Sequence, residues 1–290
     1  MQDALILCRF VHFGAVLLLF GIGAFRGLLF GNALSTFESG ARRVRLDRAL
    51  LWTSAVALIS AVAWLLLVTA DMAGNWHDAV DRQTLSAVLG STFFGRVWSL
   101  HLLLALLVLL LSLRGAQHAP RRLLLLNALL LMTLAPVGHG AMFDGLTGWL
   151  LIANQAAHLL GVASWLGGLC MLAVLLRGAG GVDLHTVLLR FSGIGYGLVA
   201  LIVATGLINI RALTGALWPA PAFAGFGLVL SLKLMLVLCM LALAAFNRHL
   251  ARAGLLNLPA LRKSVMLESL FGAAALATVS LLGTLPPIPM

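Results

Sequence analysis

The sequence predicts an all-α membrane domain in which eight transmembrane helices form one bundle. Three observations predict it: composition, run length and the placement of charge. Hydrophobic residues make up 62% of the 290 and charged residues only 10%, with a mean hydropathy of +1.07. A soluble domain is about half apolar, so lipid has to be the solvent for most of this chain. Eight runs are long enough to cross a hydrocarbon layer, which takes roughly 20 apolar residues. Basic residues gather in alternate connections between those runs, as the positive-inside rule describes. The formal charge of +10 is therefore a topological signal, and nucleic-acid binding is set aside.

The runs are 4–30, 46–73, 93–114, 123–142, 148–176, 187–212, 223–248 and 263–285. The first is longer than a signal-peptide core, carries Arg9 early and lacks a small-x-small cleavage site, so it reads as a retained helix with Met1 as the mature start. It ends at Gly31-Asn32, and the basic stretch Arg42, Arg43, Arg45 and Arg48 precedes the second. The second stops at Gly74-Asn75, and the third at Arg114-Gly115 before Pro120. Asp144-Gly145 closes the fourth, Gly178 to Gly181 the fifth, Pro219 and Pro221 the sixth, and Pro259 lies between the last two. Odd connections hold Arg42, Arg43, Arg45, Arg48, Arg114, Arg121, Arg122, Arg177, Arg248, Arg252, Arg262 and Lys263. Even connections hold Arg82 beside Asp78, Asp81 and Asp144. Odd connections are thus expected in the cytoplasm and both termini outside, with residues 1–290 as a single membrane domain. Cys8, Cys170 and Cys239 have no paired spacing, and no disulfide framework is expected.

Four histidines interrupt these helices: His12, His101, His139 and His158. At about 1.5 Å per residue, His12 and His101 lie some 12 Å below the outer face, His158 about 15 Å and His139 about a turn. An imidazole in lipid is costly unless paired, so four at one side of the bilayer point to a shared outer-leaflet site. The alternative for each is an interhelical hydrogen bond. Asn154 and Gln155 share a helical face with His158, where an amide can hold one ring nitrogen while the other binds a ligand. Gly161, Trp165 and Gly168 continue much of that face. Pro136 is expected to bend helix 4 just beneath His139. Arg9 is an i,i+3 neighbour of His12, and Asp71 is a possible countercharge.

Imidazole suits zinc, copper, iron and nickel, whereas thioethers select soft ions, above all Cu(I). Met72 and Met142 near outer helix ends, with Met1 and Met290 at the termini, lean the set toward copper, Cu(I) or Cu(II). A b-type haem held by axial histidines is the competing cofactor, and a haem-dependent reductase the competing activity. Deeper charges are Lys233 in helix 7 and Glu268 in helix 8, with Arg190 as a rival partner for Glu268. They form a structural pair or a relay and gate for an inward-moving cation. There is no GxxxxGK[ST] motif for nucleotide and no CPC motif.

The segments Arg9-Phe10-Val11-His12-Phe13, Gly138-His139, Asn154-Gln155 with His158, Trp165-Leu166-Gly167-Gly168, Leu232-Lys233, Asn247-Arg248 and Leu267-Glu268 together resemble the CopD/PcoD copper-resistance membrane proteins. The resemblance runs through most of the chain. It implies an inner-membrane protein that takes copper from a separate periplasmic carrier of the CopC type and passes it toward the cytoplasm. It also singles out His12, His139 and His158 as the main ligands, with Arg9, Asn154, Gln155 and Trp165 orienting or enclosing them; His101 and Met142 are secondary. A non-transporting membrane protein that docks the carrier is the remaining alternative.

Overall fold

The computed structural model describes residues 1–30, 40–115, 120–138, 143–178, 183–253 and 257–286. Among them, eight helices are long and apolar enough to cross a membrane, and no strand is present. Helix α1 (Gln2–Ala24) runs into one π-helical turn at Phe25–Leu29. Helix α2 (Gly40–Ala73) is followed by a 3-10 turn, His77–Val80, and by the short α3 (Arg82–Ser91). Then come α4 (Phe93–Leu113), α5 (Pro120–Met132), α6 (Gly145–Arg177), α7 (Leu184–Thr214), α8 (Gly225–Arg252) and α9 (Leu258–Leu282). All but α3 are crossings. An even number of crossings returns both ends of the chain to one side, called the terminal face below.

Several boundaries differ from the sequence expectation, each for a local reason. The basic stretch Arg42 to Arg48 is the opening of α2 and not a loop, because Asp47 answers both Arg43 at i−4 and Arg26 of the π-helical turn. Run 263–285 begins five residues early: Pro259 occupies the first turn of α9, where its missing N–H costs nothing, and the Asn257 side chain caps Ala260. The largest miss is helix 4, expected to reach 142. Pro136 supplies no donor and disfavours helix at the residue before it, so α5 ends at Met132 and only a 3-10 turn, Ala135–Val137, follows. The chain does not bend there and continue. His139 and Met142, which that expectation placed in the helix, lie outside the described residues. Helix α3 was not expected. Asp81 caps its first turn through Thr84, and Thr92 caps α4 through Gly95.

Helix α1 is central, packed against α2, α5, α6 and α9. Glycine lets it approach α6 to backbone contact. A Cβ on Gly21 would sit 1.9 Å from the Ala163 carbonyl oxygen, and one on Gly167 2.2 Å from the carbonyl carbon of Gly21. Membrane helices have no hydrophobic drive toward each other, so small residues at such crossings secure van der Waals contact and close packing. Around that seam Val16, Leu17, Leu19, Ala61, Leu130 and Leu131 form a core with virtually no exposure. Helices α7 and α8 lie at the edge and present Leu207, Ile208, Met235 and Leu238 outward.

Candidate metal centre

His12 of α1 and His101 of α4 stand ten and eight residues in from the terminal-face ends of their helices, roughly 15 and 12 Å deep. Their Nε2 atoms face each other at 2.9 Å. Both rings are wholly buried. Each Nδ1 meets a hydroxyl: Ser60 Oγ of α2 lies 2.9 Å from that of His12, and Thr133 Oγ1, just past α5, 2.7 Å from that of His101. Those hydroxyls are themselves committed. Ser60 donates to the Val56 carbonyl at 2.6 Å and Thr133 to the Leu130 carbonyl at 2.7 Å. With each hydroxyl proton on its carbonyl, the oxygen accepts from its imidazole, and both histidines are Nδ1–H tautomers whose unprotonated Nε2 atoms are open to a cation. With one ring proton on Nε2 instead, the 2.9 Å separation is an Nε2–H···Nε2 hydrogen bond.

The walls are aromatic. Trp98 stacks on His101, with centroids 4.5 Å apart and planes at 14°, and its Nε1 donates to the Ala61 carbonyl at 2.9 Å. Trp64 meets His12 edge-on at 5.5 Å. Arg9 lies over Trp64 at 5.3 Å and donates to the Gly283 carbonyl at the end of α9, at 3.0 Å. It thereby covers the pair from the terminal face. Asp71 is exposed at the end of α2 and makes no ion pair with Arg9, so the expected countercharge is not supplied there.

The expected grouping of His12, His139 and His158 is thus redrawn: His101, ranked second from sequence, is the partner of His12. His158 belongs to a different place, the seam of α6 with α7. Its Nδ1 is 2.9 Å from Thr205 Oγ1, which donates to the Leu201 carbonyl and so accepts from the ring. Asn154 and Gln155 do not hold the imidazole. Asn154 donates to the Thr205 carbonyl and to Asn209 Oδ1, both at 2.9 Å, and Asn209 donates to Gln155 Oε1 at 2.7 Å. An amide chain and a hydroxyl on the neighbouring helix satisfy these groups more directly than one turn of their own helix could. Lys233 of α8 is near enough to act on His158 electrostatically. Trp165 sits two turns further along α6, packed with Leu169 and Met240, and encloses neither histidine site. Among the described residues no three His, Cys, Asp or Glu side chains converge.

Glu268 pairs with neither expected cation. Its carboxylate accepts from Asn247 Nδ2 of α8 at 2.6 Å. Lys233 is fourteen residues from Asn247 along α8, about 21 Å. The Arg190 guanidinium lies over the Phe30 ring at 5.2 Å. Sequence reasoning missed Ser60, Thr133, Thr205 and Asn209, since an isolated hydroxyl or amide in an apolar helix carries no spacing signal. Trp98 had one: it is three residues before His101, on the same face.

Comparison with known proteins agrees in its two halves. Residues 1–149 match the family model described as copper resistance protein D-like, N-terminal domain, and residues 185–282 match that described as copper resistance protein D. The chain is similar to the inner membrane protein YebZ of Escherichia coli K12, 31% identical over 96% of this chain and 97% of that one. It is also similar to copper resistance protein D of Pseudomonas syringae pv. tomato, 28% identical over 99% and 98%. No solved structure matches it.

Proposed function

The chain belongs to the copper resistance protein D family, and from that premise we propose that it receives copper on the periplasmic side of the inner membrane and carries it inward through the His12–His101 pair. The observation that carries this reading is the pair of facing Nε2 atoms, 2.9 Å apart with each Nδ1 against a hydroxyl. Two such nitrogens in a fully buried site call for a cation. Copper is what the family name supplies, and imidazole is a ligand it favours. Metal–imidazole bonds of about 2.0 Å at a right angle place their nitrogens roughly 2.8 Å apart, so the 2.9 Å separation matches adjacent ligands of tetragonal Cu(II) in distance, and the two rings turn toward a common point to share the ion. Linear Cu(I) would need about 4 Å and hence an opening of about 1 Å. Two axial ligands on one haem iron would also stand about 4 Å apart with a porphyrin between them, where Trp64 and Trp98 pack instead.

The terminal face is periplasmic by the charge bias, which sets the pair in the outer half of the bilayer. Copper arrives there from a separate carrier of the CopC type, passing Arg9. His139, in the connection after α5, is a further ligand on the strength of the Gly138-His139 motif, and Glu268 is a carboxylate for a cation leaving toward the other face. The transfer is ligand exchange and needs no nucleotide. Metal analysis of the purified protein and its His12→Ala and His101→Ala variants tests this, together with the copper content of cells with and without the protein. The expected results are bound copper in the wild type, its loss in either variant, and cell copper that tracks an intact pair. Unchanged cell copper beside retained carrier binding would leave a docking protein. A Soret band with stoichiometric iron would leave a haem protein.

A further inference from the structure

A second polar centre lies toward the opposite face, away from the histidine pair and around the carboxylate of Glu268. Helices α6 to α9 enclose a cavity of about 300 Å³, lined by Trp165, Phe191, Tyr196, Asn247, Arg248 and Glu268 among aliphatic side chains. Along α7 it runs from Leu188 to Val199, about 16 Å. Its walls are almost entirely apolar, yet it holds one cationic and one anionic side chain that do not touch: Glu268 accepts from Asn247, and Arg248 lies over the Tyr196 ring at 4.7 Å. Nε and Nη1 of Arg248 are buried with no hydrogen-bond partner among the described residues. Arginines near helix ends ordinarily extend to the headgroups. This one turns inward, against a tyrosine twelve residues from the start of α7.

We propose that this cavity binds a quinone-headed lipid. The lining is aromatic and aliphatic along most of its length, which suits a flat apolar ring better than a hydrated phosphate headgroup. A fatty-acid carboxylate would satisfy Arg248 but stand beside Glu268 as a like charge. A flat ring with oxygens on opposite edges meets both ends. One oxygen accepts from the orphaned N–H groups of Arg248, and the other, as a hydroxyl in the reduced form, donates to Glu268. Phe191, Tyr196 and Trp165 offer the ring its faces, and a polyprenyl tail leaves through the α7–α8 side, where Tyr196 is 59% exposed. Small-ligand sites have this character, mostly apolar with a few converging polar groups.

The test is equilibrium binding of decylubiquinol, the quinone kept in its reduced form, to the detergent-solubilised full chain, with palmitate and a short-chain phosphatidylethanolamine as competitors. Three variants accompany the wild type: Arg248→Gln, Glu268→Gln and Gly195→Leu. Gly195 lines the cavity and a Cβ there meets nothing within 4 Å, so a leucine fills the space without disturbing the helices. Saturable binding is expected, weakened roughly tenfold or more by either polar substitution and abolished by Gly195→Leu. Copper content should stay unchanged in the Gly195→Leu variant, which separates this site from the histidine pair. Absence of saturable binding, indifference to Gly195→Leu, or stronger displacement by either competitor than by unlabelled quinol overturns the proposal.

Discussion

Replacing Thr133 by valine is the sharpest test of the Nδ1–H tautomer, because it keeps the shape of the side chain and removes only the oxygen that fixes His101. Thr133 Oγ1 is 2.7 Å from His101 Nδ1, and the ring has no exposure through which water could substitute. Two consequences follow from its loss. An unsatisfied Nδ1–H in a buried site costs about 1–3 kcal/mol. The proton then gains by moving to Nε2, where it can be shared with His12 across 2.9 Å. That relieves the opposed lone pairs in the metal-free protein and occupies the position copper needs. Both effects act against the bound state, and loss of such an outer hydrogen bond typically weakens metal binding about 10–100-fold, some 1.4–2.8 kcal/mol. Copper affinity of the purified variant, measured by competition against a chelator of known strength, reads this directly. Thr133→Ser keeps the acceptor and should stay within about threefold of wild type. If valine and serine bind copper equally well while His101→Ala has lost it, the hydroxyl does not set the tautomer and the reasoning fails.

The other predictions concern position and packing. His158→Ala should leave copper at the His12–His101 pair within about threefold, since His158 is tied to Thr205 of α7; complete loss of copper would mean that the two places form one site. Gly167→Leu forces a side chain into the α1 backbone, 2.2 Å from Gly21 at its Cβ alone, and should cost about 3 kcal/mol or more. Gly193→Leu, where a Cβ meets nothing within 4 Å, should melt in detergent close to wild type, and equal melting of the two would disprove the close crossing. Asp81 and Asp183 cap α3 and α7, and hydrogen bonds from Thr84 and Thr186 hold their carboxyls below the ordinary 3.8. Their folded values being depressed, the caps contribute fully above 3.8 and are lost as pH falls through the lower folded values. Protection of the amides in the first turn of α3, relative to their intrinsic exchange rate at each pH, should therefore fall under acid in the wild type and be low at every pH in Asp81→Ala.

Hydropathy made the eight crossings legible because the requirement is local: a segment of sufficient length must be apolar whatever its neighbours do. Two local signals went unread: the cap at Asp81, which opens α3, and Pro136, at which the chain was expected to bend and continue whereas α5 ends at Met132. Burial of histidine in lipid was legible too, being an anomaly of composition at His12, His101 and His158. Their partners were not. Ser60 and Thr133 look like any hydroxyl in an apolar helix, and each becomes informative only when packing brings it against an imidazole from a helix 48 or 32 residues away in sequence. The Asn154-Gln155-His158 cluster misled for the complementary reason. Side chains one turn apart share a face, but that face was turned to α7, whose Thr205 and Asn209 offered better geometry than the cluster offered itself.

The sequence by itself determined that this chain is an eight-helix membrane protein of a copper-resistance family with imidazoles set inside its apolar helices, since apolar length, proline and charge act residue by residue. Which imidazole faces which was decided by tertiary structure alone. Helix α1 can reach α6 only where Gly21 meets Gly167, and the resulting placement of α1, α2 and α4 sets His12 against His101 and leaves His158 to another helix pair. Pairing depends on the rotation and depth of helices relative to each other, and those are properties of packing that no single segment carries.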